Sequence, residues 1–356
     1  MTIVIAEAGV NHNGSEKLAF ELIEAAYDAG AHIVKFQTFK ANNLATHYAN
    51  QALYQAKNTR KVESQLEMLK KLELSYESHH KLKKFSNKLG IEFLSTAFDI
   101  ESLNFLVNDL GLKRLKIPSG ELTNAPFLLQ HSITGCNLIL STGMANLAEI
   151  ESALEVIAYG LTYKSGNKIN PYDFRSSYES RKGQEILKEK VCLLHCTTEY
   201  PAPLEEINLM AIETLNHAFG LPTGYSDHTL GINIAIAAAA RGAAIIEKHL
   251  TLDRKMEGPD HKASLLPEEF KLMVEAIAEV NVALGDGIKK TSISEKKNID
   301  VARKSLVAIK DIKKGEIFTV ENLGIKRPGR GISPYRYWEK LDSIANKDYK
   351  KDDFLE

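Results

Sequence analysis

Short apolar runs alternate with longer amphipathic runs along most of the chain. Eight of the apolar runs are four or five residues long and rich in β-branched residues, which is typical of buried strands in a parallel sheet. These predicted strands cover residues 3–6, 32–36, 92–95, 114–117, 137–141, 191–195, 223–226 and 244–247. Between them, apolar residues recur three or four positions apart, which indicates helices that pack on a sheet.

The regular alternation of strand and helix predicts an α/β fold of the closed (β/α)₈ type, a TIM barrel. Helical patterns over residues 16–29 and 146–159 each precede a glycine, Gly30 or Gly160, which we interpret as the end of the helix. We therefore expect a barrel domain over residues 1–284, close to the length that this fold requires.

Two predicted insertions interrupt the barrel. Residues 41–71 follow the second strand and are rich in Asn, Gln and Lys, so we expect them to fold over the barrel mouth as a lid. The polar stretch 162–190 leads into the sixth strand from the opposite end of the barrel. We expect this second insertion to be peripheral and assign it no function.

The pattern changes after a last predicted barrel helix over residues 267–284. Residues 285–304 are charged and punctuated by glycine, as in a linker. Residues 305–356 contain short extended runs broken by Lys-Gly and Pro-Gly turns, which predicts a small β-rich domain. A domain of this size buries little surface of its own, so we expect it to lean on a partner surface.

The charge balance excludes a general electrostatic field for binding nucleic acid or acidic membranes. There are 45 Lys and Arg residues against 46 Asp and Glu residues, for a formal charge of −1. The N-terminal MTIVIAEAGV has no basic leader, and no run reaches the roughly 18 apolar residues of a membrane span. We expect a cytoplasmic protein in which Cys136, Cys192 and Cys196 are buried free thiols.

Polar side chains concentrate directly after the predicted strands. The carboxyl ends of parallel strands meet at one mouth of a barrel, where active sites lie. Structural polar residues would have no reason to gather at one end, so we expect an active site there. The candidates at the strand ends include Glu7, Lys35, Gln37, Thr96, Lys116, Ser119, Glu121, Thr198, Tyr200, Ser226, His228 and His249.

His228 and His249 follow the seventh and eighth predicted strands, so their imidazoles can share one metal ion. Each stands beside a carboxylate, Asp227 or Glu247, that can orient a ring. Buried histidines without a metal are the alternative, and these residues alone leave both open. Ser226, Asp227 and His228 do not form a nucleophilic triad, because neighbours on a strand point to opposite faces.

Lys35 and Lys116 leave three alternatives open: salt-bridged structural residues, Schiff-base nucleophiles, or a cradle for an anion. Together with the neighbouring hydroxyl side chains they favour a phosphorylated carboxylate as ligand, because cations and short hydroxyl donors suit phosphate oxygens. Glu7 and Glu121 would be poor neighbours of a phosphate. We expect them to accept hydrogen bonds from sugar hydroxyls or to transfer protons for a metal-bound water.

Eight longer motifs stand in order along the chain: AEAGVNHNG, VKFQT, KIPSGE, LSTGM, LHCTTEYP, GYSDHT, IIEKHLTLD and GPDH. Their order and spacing resemble the sialic acid synthase family, including its legionaminic and pseudaminic acid relatives. The later KRPGRGISP is similar to antifreeze-like (SAF) domains. The resemblance covers almost the whole chain. It implies a (β/α)₈ enzyme that condenses phosphoenolpyruvate with an N-acetylated mannose-type sugar, releasing phosphate and a 2-keto acid.

The resemblance also implies residue roles. His228 and His249 match ligands of a divalent metal, which we expect to be Mn²⁺, with Mg²⁺ or Co²⁺ as alternatives. The residues that match the phosphoenolpyruvate cradle are Lys35, Thr96, Lys116, Ser119 and Ser226. Those that match positions around the sugar are Glu7, Gln37, Glu121, Tyr200 and Asp260. Arg327 matches an arginine that the C-terminal domain extends into the partner's site, which implies a domain-swapped homodimer.

One position departs from the family, because Thr198 stands where some members have an asparagine beside the phosphate. We expect catalytic roles for Glu7, Lys35, Lys116 and Tyr200, and N-acetylmannosamine as the acceptor that yields N-acetylneuraminate. The alternative is an N,N'-diacetyllegionaminate synthase that uses 2,4-diacetamido-2,4,6-trideoxymannose. More distant alternatives are a Schiff-base aldolase on the same barrel and a binding domain joined to an inactive barrel.

Overall fold

The computed structural model describes residues 2–59, 63–163 and 168–356. The chain divides into two units, with the boundary between Gly285 and Asp286. Most of the stretch predicted as a linker, residues 285–304, belongs to the second unit, where Ile293–Ala302 forms a helix.

Eight parallel strands close into a barrel in sequence order, which confirms the predicted fold. They are β1 (Ile3–Gly9), β2 (Ile33–Thr38), β3 (Glu92–Ala97), β4 (Arg114–Ile117), β5 (Asn137–Ser141), β6 (Val191–Cys196), β7 (Thr223–Asp227) and β8 (Ile245–His249). Most strands run further at their carboxyl ends than predicted, because backbone pairing continues past the last apolar residue. His249 is therefore the last residue of β8 rather than the start of a loop.

Helices surround the barrel. They are α1 (Glu16–Asp28), α2 (Ala41–Leu44), α3 (Leu53–Thr59), α4 (Gln65–Leu72), α5 (Tyr76–Leu89), α6 (Ile100–Asn104), α7 (Ala125–Ile133), α8 (Leu147–Thr162), α9 (Asp173–Glu179), α10 (Arg181–Lys190), α11 (Met210–Phe219), α12 (Asn233–Ala240) and α13 (Pro267–Leu284). In the described part of the chain, no helix is long and apolar enough to cross a membrane.

The predicted end of α8 is wrong. The helix continues to Thr162, so that Gly160 lies inside it. A Cβ atom at position 160 would lie 1.8 Å from Ser132 Oγ on the neighbouring helix α7. The glycine therefore permits the close approach of two helices and does not end one. Gly30, by contrast, follows the end of α1 with φ of +78°, as predicted.

Alternation along the strands separates the inside of the barrel from its outer face. An apolar layer inside the barrel consists of Ile5, Ile33, Leu94, Ile139, Leu194 and Ile245. Two positions further along, the same faces of the strands carry Glu7, Lys35, Thr96, Ser141, Cys196 and Glu247. The intervening residues, such as Val34 and Ile246, belong to the large core beneath the helices. The polar site therefore lies directly above an apolar layer inside the barrel.

Both predicted insertions contain helices. Residues 41–71 supply α2, α3 and nearly all of α4, whereas 162–190 supply α9 and α10. The second pair packs against α8, where Phe174 of α9 lies 5.0 Å from Tyr159 between ring centroids. Residues 164–167 of this insertion lie outside the described residues. The second insertion thus contributes to the helical layer of the barrel.

The second unit contains helix α14 (Ile293–Ala302) and an antiparallel pair, β9 (Ser305–Ala308) and β10 (Leu323–Lys326), followed by α15 (Tyr337–Lys340). Isolated bridges such as Val307 to Phe354 extend the pairing. The unit has its own small core, which consists of Leu306, Ala308, Ile312, Phe318, Leu323, Ala345, Tyr349 and Leu355. The prediction of a small β-rich C-terminal domain is confirmed.

Candidate active site

The register of the parallel strands brings the predicted residues together at the carboxyl end of the barrel. Directly paired residues in adjacent strands project from the same face of a sheet. The pairs at this level are Glu7 with Lys35, Glu7 with His249, Gln37 with Thr96, Thr96 with Lys116, and Ser226 with Glu247. Residues as far apart in the chain as Glu7 and His249 thus become neighbours.

Two lysines and two glutamates form a buried charge cluster. Lys35 Nζ lies 2.8 Å from Glu7 Oε2 and 3.5 Å from Glu247 Oε2. Lys116 Nζ lies 3.3 Å from Glu247 Oε1, and Lys35 also donates to Thr96 Oγ1 at 3.3 Å. Each of the four charged side chains is at most 5% exposed. The lysines are therefore held by carboxylates, as in one of the alternatives that the sequence left open, and they also face the cavity.

Burial and neighbouring charges shift the four pKa values in different directions. Burial alone would lower the pKa of Lys35, but Glu247 and Glu7 outweigh it and raise that pKa. Burial likewise favours a neutral Glu247, yet Lys116 and Lys35 hold its pKa below the usual range. Burial prevails at the other two groups, raising the pKa of Glu7 and lowering that of Lys116. The surroundings therefore favour the charged forms of Lys35 and Glu247, and Glu7 is the carboxyl group better suited to proton transfer.

The two imidazoles lie beside this cluster, with ring centroids 5.7 Å apart. His228 Nδ1 donates to the carbonyl of Thr197 at 2.6 Å, which leaves Nε2 with its lone pair, 3.3 Å from Ser226 Oγ. His249 Nδ1 is buried, has no hydrogen-bond partner among the described residues and lies 3.9 Å from Asp260 Oδ2. Burial lowers the pKa of His228 to about 4 and that of His249 well below its usual range, so both rings are neutral.

These rings fit a divalent cation by their chemistry. Two neutral imidazoles with free lone pairs are good ligands for Mn²⁺ or Co²⁺. Among the described residues, no group of three or more His, Cys, Asp or Glu side chains is arranged to hold a metal. A cation here would need water or substrate oxygens to complete its coordination.

The expectation that Asp227 orients the ring of His228 is wrong. Asp227 points outward, where Oδ2 accepts from Lys248 Nζ at 2.8 Å and Oδ1 accepts from the backbone N–H of Thr229 at 2.9 Å. Both charged side chains of this pair are fully buried. The carbonyl of Thr197 orients the ring instead, and the triad is absent, as predicted from strand alternation.

Hydroxyl groups line the side of the cavity next to β5 and β6. Ser119 Oγ accepts from the backbone N–H of Gly143 at 3.0 Å and lies 3.2 Å from Cys196 Sγ. Thr198 Oγ1 is buried, with no hydrogen-bond partner in the described ranges. A Cβ atom at position 143 would lie 2.4 Å from this oxygen, so the glycine leaves room for the side chain of Thr198 in the cavity wall. The remaining acid, Glu121, accepts from the side chain of Asn124 at 2.7 Å.

The three cysteines are free, as predicted, but one is not fully buried. Cys136 and Cys196 are buried, whereas Cys192 is half-buried. Cys136 lies in the outer core, while Cys196 lines the cavity.

The lid covers the cavity from above. Tyr54 of α3 lies 5.0 Å from Tyr200 between ring centroids, and Tyr200 lies 4.1 Å from the ring of His228. Asn58 donates to the carbonyl of Pro259 at 2.7 Å, which joins the lid to the loop after β8. The placement of residues 41–59 and 63–71 over the mouth agrees with the prediction, and residues 60–62 of this insertion lie outside the described residues.

One cavity of about 340 Å³ unites the site. The predicted residues that line it are Glu7, Lys35, Gln37, Thr96, Lys116, Ser119, Glu121, Thr198, Tyr200, Ser226, His228, His249 and Asp260. Arg327 is exposed and belongs to the second unit, directly after β10. We considered Glu247 only as a carboxylate that can orient a ring, whereas in the structure it joins both lysines. Its position two residues before His249 on one strand face was a usable signal for a role in the site.

Comparison with known proteins identifies the family. The model of the NeuB family matches residues 22–289, and that of the SAF domain matches residues 303–349. The chain belongs to the NeuB family. The resemblance drawn from the motifs, including the C-terminal SAF domain, is thereby confirmed.

Several proteins that are similar to this chain are named as synthases. The N,N'-diacetyllegionaminic acid synthase of Campylobacter jejuni is 53% identical over 354 residues, covering 99% of this chain and 98% of that protein. The enzyme of the same name from Legionella pneumophila is 45% identical over 331 residues, or 93% and 86% of the two chains. A crystal structure of N-acetylneuraminic acid synthetase from Leptospira borgpetersenii, in complex with citrate, matches at 32% identity and a TM-score of 0.68, over 84% and 90% of the chains.

This NeuB-family chain is therefore an enzyme, a synthase of the nonulosonic acid class. The two relatives of higher identity carry the name of our alternative reading, legionaminate synthesis, and the relative named for N-acetylneuraminate is less similar. The comparisons thus favour the alternative over the reading that we placed first.

The outward pair of Asp227 and Lys248 yields a test of how the site is supported. Lys248→Met is expected to reduce the free energy of unfolding by about 3–5 kcal/mol, because it leaves a buried carboxylate without its cation. The double variant Asp227→Asn/Lys248→Met should recover much of this loss. Chemical denaturation measures all three. Lys17→Met, at a lysine with an 85% exposed side chain, is the control and should change stability by less than about 0.5 kcal/mol. A double variant no more stable than Lys248→Met would contradict the role of the pair.

Proposed function

We propose that this enzyme is an N,N'-diacetyllegionaminate synthase, which condenses phosphoenolpyruvate with 2,4-diacetamido-2,4,6-trideoxymannose and water. The choice of acceptor rests on the 53% identity, over nearly the full length of both chains, to the Campylobacter jejuni protein of that name. The chemistry rests on one cavity that joins two lysines, three glutamates, several hydroxyls and two neutral imidazoles. This combination suits an anionic phosphorylated donor and a polar sugar acceptor.

The proposed reaction forms one carbon–carbon bond and replaces the carbon–oxygen bond between C2 and phosphate with a carbon–oxygen bond to the oxygen of water. C3 of phosphoenolpyruvate attacks the aldehyde carbon of the open-chain sugar, whose oxygen gains a proton and becomes a hydroxyl. The cationic C2 that results is captured by water, which loses a proton. The tetrahedral product then expels inorganic phosphate and leaves the 2-keto acid. No oxidant or reductant is needed.

Lys35 and Lys116 would hold the carboxylate and phosphate of the donor. Both ammonium groups are buried, so their attraction for an anion is stronger than in water. The hydroxyls of Thr96, Ser119 and Ser226 add hydrogen-bond donors at the same level of the barrel. Glu247 offsets part of the lysine charge in the cluster.

Glu7 would handle protons in the reaction. Its carboxyl group has a raised pKa because it is buried, and Lys35 holds one of its oxygens at 2.8 Å. It can accept the proton of the attacking water and later release it. Gln37, Glu121, Tyr200 and Asp260 line the same cavity and would bind the sugar.

His228 and His249 would hold a divalent cation, with Mn²⁺ as the first choice and Mg²⁺ or Co²⁺ as alternatives. Such a cation would supply Lewis acidity toward the sugar aldehyde. The carbonyl of Thr197 holds His228 in the tautomer with a free Nε2.

The choice between acceptors gives a direct test of the proposed function. The purified enzyme should turn over 2,4-diacetamido-2,4,6-trideoxymannose with a kcat/KM at least about tenfold above that for N-acetylmannosamine, because each sugar group that fits adds binding energy in the transition state. Phosphate release with each sugar measures this ratio. A higher value for N-acetylmannosamine would assign the chain to N-acetylneuraminate synthesis instead.

The proposed metal site can be tested by measuring Mn²⁺ binding, with no need to measure turnover. His228→Ala and His249→Ala should each lower Mn²⁺ affinity by about 10²-fold or more, because each removes one of two protein ligands. The signal of free Mn²⁺ in electron paramagnetic resonance titrations measures the affinity. His217→Ala, at an exposed histidine of α11, is the matched control and should bind Mn²⁺ like the wild type. Unchanged affinity in either cavity variant would refute the assignment.

We also propose a domain-swapped homodimer in which Arg327 of each chain completes the partner's sugar site. Its exposed guanidinium is suited to donate hydrogen bonds to an acetamido carbonyl. An equal mixture of Arg327→Ala and His228→Ala chains, co-refolded or co-expressed, should recover about a quarter of wild-type turnover, since one site in each mixed dimer is intact.

The control for this mixture pairs Arg327→Ala with a chain that carries both substitutions, which leaves every site defective. Activity should not return in that case. If mixed dimers form in the first mixture and remain inactive, the swapped arrangement is wrong.

A further inference from the structure

The lid contributes an apolar roof to a cavity whose floor is charged. The roof consists of Leu44, Met68, Leu69 and Leu72 from the lid helices, together with Val10 and Phe98 from the barrel loops. These residues belong to one hydrophobic cluster, separate from the main core of the barrel. An apolar surface that faces a ligand cavity, rather than only other protein atoms, contributes to what the cavity binds.

The roof has a defined position over the floor. At its base, Glu73 accepts from the backbone N–H of Ala41 at 3.0 Å and from Lys40 Nζ at 3.2 Å, so one carboxylate clamps both ends of the lid. At its far side, Asn58 donates to the carbonyl of Pro259 at 2.7 Å. Helices α2 and α4 pack against each other between these anchors. The apolar side chains are therefore held in place before a substrate arrives.

The orientation of the acceptor follows from where its aldehyde must react. The groups that hold the donor and handle protons, such as Lys35, Lys116 and Glu7, lie at the strand ends on the cavity floor. With C1 of the open-chain sugar at the floor, the distal carbons point away from the strand ends. C6 then meets the roof formed by the lid.

We propose that the apolar roof, above all Met68 and Leu69 of α4, contacts C6 of the acceptor and selects a 6-deoxy sugar over its 6-hydroxy analogue. This inference rests on the proposed function, because it assumes an acceptor aldehyde that reacts at the cavity floor. A methyl group at C6 gains apolar contact with Met68 and Leu69, whereas a hydroxyl placed against these two side chains loses its hydrogen bonds to water and gains none from them; the polar lid residues Tyr54, Gln55 and Gln65 line other parts of the cavity wall. Discrimination of this kind reaches about 10²-fold at most in an apolar pocket.

The test uses two pairs of sugars that differ only at C6. One pair is 2,4-diacetamido-2,4,6-trideoxymannose and its 6-hydroxy analogue, and the other is 2-acetamido-2,6-dideoxymannose and N-acetylmannosamine. Wild-type enzyme should favour the 6-deoxy member of the pair that it uses by about 10- to 100-fold in kcat/KM. Leu69→Asn and Met68→Gln, which preserve approximate size but add polar groups, should each reduce this ratio by about tenfold.

Two further variants separate contact with the substrate from general damage to the lid. Leu69→Met keeps an apolar side chain and should keep the wild-type ratio. Leu66→Asn changes a leucine of α4 that packs against the same cluster but is not part of the cavity lining, so its ratio should also remain. Each ratio compares the kcat/KM values of two sugars measured with the same enzyme preparation. Partial unfolding lowers both values by the same factor and therefore does not change the ratio.

The outcomes distinguish this inference from the proposed function. If the 6-deoxy preference is present but unchanged in Leu69→Asn and Met68→Gln, the roof is not its source, although the acceptor assignment stands. If wild-type enzyme favours the 6-hydroxy sugar in the pair that it uses, the roof proposal is overturned. If only the monoacetamido pair is used, the legionaminate assignment fails, while the effect of the roof is still measured at C6.

Discussion

The structure depends on four charges that share the inside of the barrel without bulk water. An isolated charge in such a place costs several kcal/mol, and removing a single partner leaves that cost uncompensated. Here Lys35 and Lys116 are offset by Glu7 and Glu247, which lie within salt-bridge distance of them. The cluster can exist only where strands from distant parts of the chain stand in fixed register, so the closed barrel and the site require each other.

A second buried ion pair lies on the outer face of the barrel strands, because side chains alternate between the two faces of each strand. On β7 and β8 the inward residues serve the cavity, and the outward neighbours Asp227 and Lys248 form a second buried ion pair. That pair also holds Thr229, directly after His228, through the backbone and side chain of the threonine. The loop that carries His228 is therefore fixed from behind by charges that never reach the cavity. Because side chains alternate between the two faces of a strand, the same two strands supply inward residues that line the cavity and outward residues that hold the loop of His228 in place.

The cavity is polar on one side and apolar on the other. Its floor concentrates charge where bonds are proposed to form and break, and the lid contacts Tyr200 and the loop after β8 above it. Burial of the charged side chains strengthens the electrostatic interactions on the floor. The same lid supplies apolar surface toward the far end of the proposed acceptor. In these proposals, bond formation and the choice of sugar are assigned to opposite walls of one cavity.

The sequence by itself determined the barrel, a small β-rich C-terminal domain and most of the site, because these follow from local patterns, whereas the SAF domain was implied by the resemblance to a known family. Apolar periodicity marked all eight strands, and polar residues directly after them marked the mouth. Only the tertiary structure decided the role of Glu247, whose partners Lys35 and Lys116 come from strands far away in the chain. It also decided that Thr197 rather than Asp227 orients His228, and that Gly160 allows two helices to approach instead of ending one. Each of these depends on how strands are aligned and helices packed across long separations, and no short stretch of sequence encodes that geometry.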